Sequence, residues 1–381
     1  MKTVLSIFMV QLCLVNILMA KEINPNETPL SFSYDQEQLE EFKSYPLPKT
    51  TITNGQLTKL NQEADFLIKT NRLSPIDITT LPAYLANAQK DFAWISYRLT
   101  GKFTGDLGPI TLWILRLFIP NASLPSVNVN VFDPYSSGIA ALVLSRAADR
   151  LNKEREQIVN YPIKKGANYW TPTSRGYRGI DYGTAKTWYL NSSKEFVADT
   201  PPQDRGFWQK QTQEVQEAMD QRDRPQTASV YWWANLTSPN AGEWHAILQQ
   251  YFEKWNIPLA NRLWGMALLE CTLLDSTATA FNSKYTYWVK RPSQMDPHIK
   301  PLIAVPNHPS YPSAHSTNGI AVAVVLTKLF PDNQLNWNAL AEEAGMSRIW
   351  GGIHYPVDHE KGKKLGKEIG LKILEKSQQA K

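Results

Sequence analysis

A chain of 381 residues with 43% hydrophobic, 20% charged and 11% aromatic residues can bury a sizeable core, which excludes a disordered tail, a collagen and a disulfide miniprotein. Its 40 basic and 35 acidic residues give a formal charge of +5, too mild to imply nucleic acid or a membrane surface as partner. No internal repeat is visible, and 13 Trp, 16 Tyr and 13 Phe among 25 Pro suggest large side chains wedged between many short elements.

Residues 4–20 form an apolar run after Lys2 and before Lys21 and Glu22, the layout of a secretory signal with cleavage after Ala20. Leu18 stands where a small residue is usual, so an uncleaved anchor is the alternative. Loss of Lys2 with the signal leaves 39 basic residues against 35 acidic ones, a charge of +4. Cys13 would leave too, so Cys271 stands alone, no internal disulfide can form, and a buried packing role is expected. No later run approaches the ~20 apolar residues of a membrane span; the longest, 110–120, is short and contains Arg116. Asn26, Asn121, Asn191 and Asn235 each open an Asn-x-Ser/Thr sequon.

Residues 21–56 are polar, with Pro25, Pro29, Pro46 and Pro48, and read as an extended arm. Beyond it, 57–73, 82–99, 108–118 and 138–161 carry apolar residues at three-to-four spacing and predict helices. The segment 162–202, rich in Gly, Pro, Tyr and Trp, is too long for a plain connection and is expected to be packed and irregular, bordering something functional. Ser238 and Pro239 open a helix over 240–256, and Pro258 starts one over 258–281. Helices over 313–330, 338–349 and 356–376 follow, the first apolar on all sides and so central to a bundle. The chain reads as all-α, packed helix bundles, with residues 57–381 as a single helical domain.

Polar residues gather where the buried helix begins. In Tyr311-Pro312-Ser313-Ala314-His315, Ser313 is placed as N-cap, so free N–H groups and the positive helix end make an anion site beside His315. Lys284, Arg291 and Arg348 supply fixed cations for a tetrahedral oxyanion. His354 and Asp358 are four apart, and a carboxylate there can accept one ring N–H and leave the other nitrogen as an aimed lone pair, suited to a nucleophile or metal ligand. His315 is placed to move a proton.

Lys284-x6-Arg291-Pro292, then Pro312-Ser313-Ala314-His315, then Ser347-Arg348-x5-His354-x3-Asp358 resemble the three-part signature of the type 2 phosphatidic acid phosphatase and vanadium haloperoxidase superfamily. The signature covers 284–358, and similar flanking helices extend the resemblance over 263–374. One departure is visible: Ala314 stands where the family usually has Gly, but the donor there is a backbone N–H, which Ala retains. The resemblance implies that Lys284, Arg291, Ser313, the Ala314 N–H and Arg348 hold the oxyanion and that His315 is the acid/base. It further implies that His354 is the nucleophile or vanadium ligand and that Asp358 orients it.

Two chemistries follow from one such site. As a phosphatase, His354 attacks phosphorus to give a phosphohistidine, His315 protonates the leaving alcohol, and no cofactor is needed. As a haloperoxidase, the protein binds vanadate through His354 and oxidises halide with hydrogen peroxide. The length, the lack of membrane runs and His308, five residues before Ser313 where bromoperoxidases carry a histidine, favour the haloperoxidase-like reading. His308 is then a candidate halide contact or a support behind the anion ligands; the bland reading is a loop histidine. A non-catalytic anion binder is the remaining alternative.

A divalent-metal hydrolase using His308, His315, His354, Asp358 and His359 is disfavoured, since no HExxH-like spacing appears and three cations would oppose the metal. His245, His298 and His359 are read as surface or structural, and Trp264, Tyr285, Tyr287 and Trp288 as core. Small molecules, peroxide and halide or a phosphoester, are the expected partners, and the oligomeric state is open. The expected product is a secreted or periplasmic protein beginning at Lys21. Mass spectrometry of exported protein that finds Met1 intact refutes this.

Overall fold

The structure is a computed structural model that describes residues 22–71, 73–128, 133–155, 161–234, 242–331 and 334–379. The signal segment and the Ser238–Pro239 cap lie outside these residues. No sheet is present among them, only one isolated bridge between Thr51 and Thr104. The architecture is all-α, as the periodicity predicts.

The N-terminal half is built from α1 (Gln36–Glu41), α2 (Asn54–Thr70), α3 (Pro75–Thr100), α4 (Gly108–Phe118) and α5 (Pro134–Arg155). Helix α3 starts seven residues, about two turns, earlier than its apolar run suggests. Ser74 caps it by accepting the Asp77 N–H, Pro75 follows at the first position, and Pro82 is carried inside the helix. The arm is not a free strand: it carries α1 and sends Phe32, Leu39 and Phe42 into the main core. The buried Asp91 carboxylate of α3 holds it by accepting the N–H of Ser31 at 2.8 Å and of Phe32 at 3.0 Å and the Tyr34 hydroxyl at 3.0 Å.

Two helices, the amphipathic α6 (Arg205–Asp220) and the short α7 (Arg224–Trp232), lie in a stretch for which the periodicity predicts no element. Asp204 and Asp223 cap them, the latter in a reciprocal capping box with Gln226. There follow α8 (Gly242–Lys254), α9 (Leu259–Tyr287), α10 (Pro292–Met295), α11 (Ala314–Leu329), α12 (Trp337–Trp350) and α13 (Pro356–Gln379). Helix α9 is buried almost throughout and runs past Phe281 to reach Lys284.

Between α5 and α6 the chain forms a packed strap. On α9 the buried Asp275 carboxylate accepts the N–H of Trp188, Tyr189 and Leu190 at 2.6, 2.8 and 3.0 Å. Nearer the chemistry, the strap's Trp170 N–H donates to Trp288 O at 2.7 Å. Asn307 accepts from Thr173 N at 2.7 Å and donates to Gly176 O at 2.9 Å.

Among the described helices, α11 packs most extensively on α13. Gly362, Gly366 and Gly370 recur every fourth residue on one face of α13. A Cβ at these positions would stand 2.8 Å from Ser313 O, 2.3 Å from Thr317 O and 2.9 Å from Ala321 O, themselves four apart on the partner. The two backbones therefore touch with no side chain between them. Gly366→Ala should cost ~1–3 kcal/mol by overpacking, because the clash is with backbone that cannot swing away. Gly55→Ala, where only Thr53 Oγ1 lies at 4.0 Å, should be neutral or stabilising. Urea midpoints of the two variants check this.

Candidate active site

Lys284 sits in the last turn of α9, fully buried. Its ammonium donates to the carbonyls of Pro309 at 3.1 Å, Ser310 at 2.6 Å and Pro312 at 2.5 Å. An ammonium has three protons, and all three are used here. The expected oxyanion ligand thus fixes the turn that delivers Ser313 and Ala314. Burial, and then the Arg291 charge, holds Lys284 well below the usual lysine range.

Arg291, equally buried, spreads its guanidinium across three partners. Nε donates to His308 O at 3.1 Å, Nη1 to Ile353 O at 2.7 Å and His354 Nε2 at 2.9 Å, and Nη2 to His308 Nδ1 at 3.0 Å. A guanidinium only donates, so His354 Nε2 presents a lone pair to it, whereas His308 Nδ1 lies between this donor and the Pro309 carbonyl at 3.2 Å. The His354 proton is consequently on Nδ1, which lies 2.7 Å from Asp358 Oδ2. The same Oδ2 accepts from Ser310 Oγ at 2.5 Å and Tyr355 N at 3.2 Å, while Oδ1 is buried without a hydrogen-bond partner. Burial, reinforced by Arg291 and Lys284, keeps the His354 imidazole neutral. Burial also pushes the Asp358 carboxyl up to about 6, against the pull of Ser310 and Lys284.

At the start of α11, Ser313 Oγ accepts the Ser316 N–H at 3.3 Å, the N-cap expected from sequence. The Ser313 N–H is taken by Asp358 O at 3.0 Å, tying this cap to α13. His315 Nε2 lies 3.0 Å from Trp233 O, a pure acceptor, so Nε2 carries the proton and Nδ1 the lone pair. Burial and the Arg348 charge hold this ring below the usual histidine range, so in this state it is a proton acceptor, not a proton donor. Arg348 uses Nε on Ser347 Oγ at 2.9 Å and Nη2 on Val230 O at 2.7 Å, and burial lowers it to about 9.

These groups meet at a cavity of about 320 Å³. His354, His315, Arg348, Ala314 and His308 line it, whereas Lys284, Arg291 and Ser313 lie behind the wall. Phe281, Leu302, Ile303 and Ile353 make much of the rest apolar, and the His308 ring packs on Phe281 with centroids 4.8 Å apart. Of the residues not singled out in the sequence, Ser310 braces Asp358, and Trp233 and Arg178 line the cavity. Only the composition of 162–202 pointed towards Arg178. Of the remaining histidines, His359 bridges Ser316 and Glu342, His245 pairs with Glu270, and His298 is exposed. Cys271 is buried and accepts from Asn87 Nδ2 at 3.0 Å, consistent with packing.

Residues 264–366 match the family model described as the PAP2 superfamily. That segment belongs to this superfamily. It is 28% identical over 101 residues to the bacitracin transport permease protein BcrC of Bacillus licheniformis, a match spanning 26% of this chain and 47% of that relative. Outside the PAP2 segment the likeness is one of fold. A bacterial vanadium-dependent iodoperoxidase superposes with a TM-score of 0.68 at 18% identity, covering 87% of this chain and 98% of that one. A holo-type bacterial vanadium-dependent chloroperoxidase does so with a TM-score of 0.58 at 12% identity, over 88% and 99%. The fold of the N-terminal half, where the residues alone gave only a compatible helical pattern, is thus shared as well. The two superposed neighbours are, by their names, peroxidases.

The Asp358 carboxylate must stay ionised to hold the His354 Nδ1–H. Turnover should therefore fall as pH drops through about 6, where Asp358 gains its proton, while His354 stays neutral. Asp358→Asn should abolish that limb and cost ~10–100-fold. Ser310→Ala removes a hydrogen bond that lowers the Asp358 pKa, so its acid limb should move to higher pH. A pH profile of kcat/KM in which Ser310→Ala leaves the limb in place would count against this geometry.

Proposed function

We propose that the protein is an exported haloperoxidase-like enzyme that binds vanadate in this cavity and oxidises halide with hydrogen peroxide. The observation that carries the reading is the neutral His354, its Nε2 lone pair set among three buried cations against one buried carboxylate. Glu243, the further carboxyl that the Arg348 charge reaches, is itself pushed up to about 7 by burial and offsets little of the excess. A cluster of this kind calls for a multiply charged anion.

The donor set fits vanadate. His354 Nε2 would ligate the vanadium, and the Ala314 N–H and Arg348 would hold its oxygens, with Arg291 redirected from the imidazole and Lys284 and Ser313 supporting from behind. Bound there, vanadate supplies Lewis-acid activation of peroxide. His315 takes up a proton at Nδ1, and an anion beside it raises its pKa so that the proton can later be returned. Asp358 holds the His354 tautomer, and the apolar wall limits water. His308, lining the cavity and tied to His354 through Arg291, is what favours halide chemistry over phosphate transfer.

The second reading is a PAP2-type acid phosphatase, in which His354 Nε2 attacks phosphorus and the same cations hold the phosphoryl oxygens. Its support is the match of residues 264–366 and a cage that suits phosphate equally. Export is supported by the apolar leader and by the exposure of Asn26, Asn121 and Asn191; Asn235 lies outside the described residues. No described helix is long and apolar enough to cross a membrane.

Vanadate decides between the two chemistries. Added to purified protein it should activate peroxide-dependent bromination; inhibition of phosphate release instead selects the phosphatase. His354→Ala should lose vanadate ligation and activity together. His315→Ala should keep the anion and lose roughly 10²–10⁴-fold in rate. Tight vanadate binding by His354→Ala with its loss in His315→Ala would reverse the assigned roles.

A further inference from the structure

His315 and Arg348 come from different helices, yet both lean on the C-terminal end of α7. His315 Nε2–H donates to Trp233 O at 3.0 Å, and Arg348 Nη2 donates to Val230 O at 2.7 Å. A helix end leaves carbonyls without an intrahelical partner and carries the negative end of the dipole, so it suits one N–H donor and one cation. Within this end, Ser229 O takes the Trp233 N–H and Tyr231 O the Ala234 N–H, while the Val230 and Trp233 carbonyls serve the site.

Apolar packing does little to place this helix. Of its nine residues only Ser229 and Val230 are buried, and Tyr231 and Trp232 are 54% and 52% exposed. Just past its end, Trp233 is buried against Trp244 with ring centroids 5.4 Å apart. The remaining hold is polar. Glu343 of α12 accepts the Ser229 hydroxyl at 2.5 Å and the Trp233 Nε1–H at 3.2 Å, both on Oε1. One carboxylate oxygen thus grips the residue before Val230 and Trp233 itself, on either side of the two carbonyls that the site uses. Glu343 is not among the residues that line the cavity.

We propose that Glu343 is a positioning residue for His315: by pinning the end of α7 it aims the Trp233 carbonyl, which holds the His315 proton on Nε2 and leaves Nδ1 to take up a proton. This rests on His315 moving protons, which the haloperoxidase and phosphatase readings share, and not on which oxyanion is bound. Arg348 depends less on the pin, because Ser347 Oγ also holds its Nε at 2.9 Å. For His315 the Trp233 carbonyl is the one hydrogen-bond partner among the described residues. Loss of Glu343 therefore reaches the proton step before it reaches anion affinity, and a reacting group misplaced by about 1 Å can cost ~10²-fold in rate.

Nitrogen-15 spectra of the histidine rings test this without turnover, the His315 signals being assigned by their loss in His315→Gln. The wild type should show a His315 Nε2–H in slow exchange with water, and Glu343→Ala, measured well below its melting temperature, a fast one. Glu343→Gln keeps an oxygen acceptor for both donors, so slow exchange and most of the rate should return. In turnover Glu343→Ala should lower kcat ~10–100-fold, with vanadate affinity changing far less. Should Glu343→Ala fail to fold, Ser229→Ala removes one of the two grips and should show the same pattern more weakly. Wild-type exchange of the His315 Nε2–H in these alanine variants, or a Glu343→Gln as impaired as Glu343→Ala, overturns the proposal. Fast exchange in Glu343→Ala, together with a wild type that neither oxidises halide nor releases phosphate, would leave the pin standing and remove the enzymatic reading.

Discussion

The site depends on the backbone contact between α11 and α13. Three glycines on α13 meet three carbonyls on α11, so these helices approach more closely than any pair separated by side chains. That approach puts the Ser313 N–H on Asp358 O and the Asp358 carboxylate under His354. It also brings the start of α11, with Ala314 and His315, to the cavity that His354 lines. A methyl group in that contact would push the two ends of the anion cage apart.

Charge is the second constraint. Three cations with almost no exposure cannot be justified by packing, since each is costly to bury and Asp358, with Glu243 near Arg348, balances only part of their charge. The protein handles the cost by sharing protons with carbonyls: Lys284 alone satisfies three. Those bonds order the loop from His308 to Pro312 and at the same time hold the cations in place for an anion. Both histidines stay neutral under this field. One keeps its lone pair on Nε2 and the other on Nδ1, so the tautomers are set by which neighbour can only donate and which can only accept.

Around this centre, buried carboxylates do the organising. Asp91 on α3 gathers the arm and Asp275 on α9 gathers the strap, each by accepting backbone N–H groups that would otherwise be orphaned. Through Asn307 and the Tyr285 hydroxyl the strap then reaches the loop carrying His308. A largely irregular segment is held there because its polar backbone is satisfied by the helices beneath it.

Helical periodicity gave most elements, and Ser313 as the cap of α11 was legible because an N-cap is a local matter of one hydroxyl and one N–H. The early start of α3 was hidden by the Pro82 it contains, and α6 by a polar surface face; α7 is short and buries only Ser229 and Val230, so it has no clear apolar stripe. For the site, the sequence by itself determined the chemistry available: three cations, two histidines and an acid four residues from one of them. Tertiary structure alone decided their division of labour. Lys284 turned inward to carbonyls, Ser310 was recruited to Asp358, and Arg178 arrived from a segment far away in the chain. The physical reason is that a residue's type and local spacing fix what it can donate or accept, whereas its partner depends on backbone groups brought near only when distant helices close on each other.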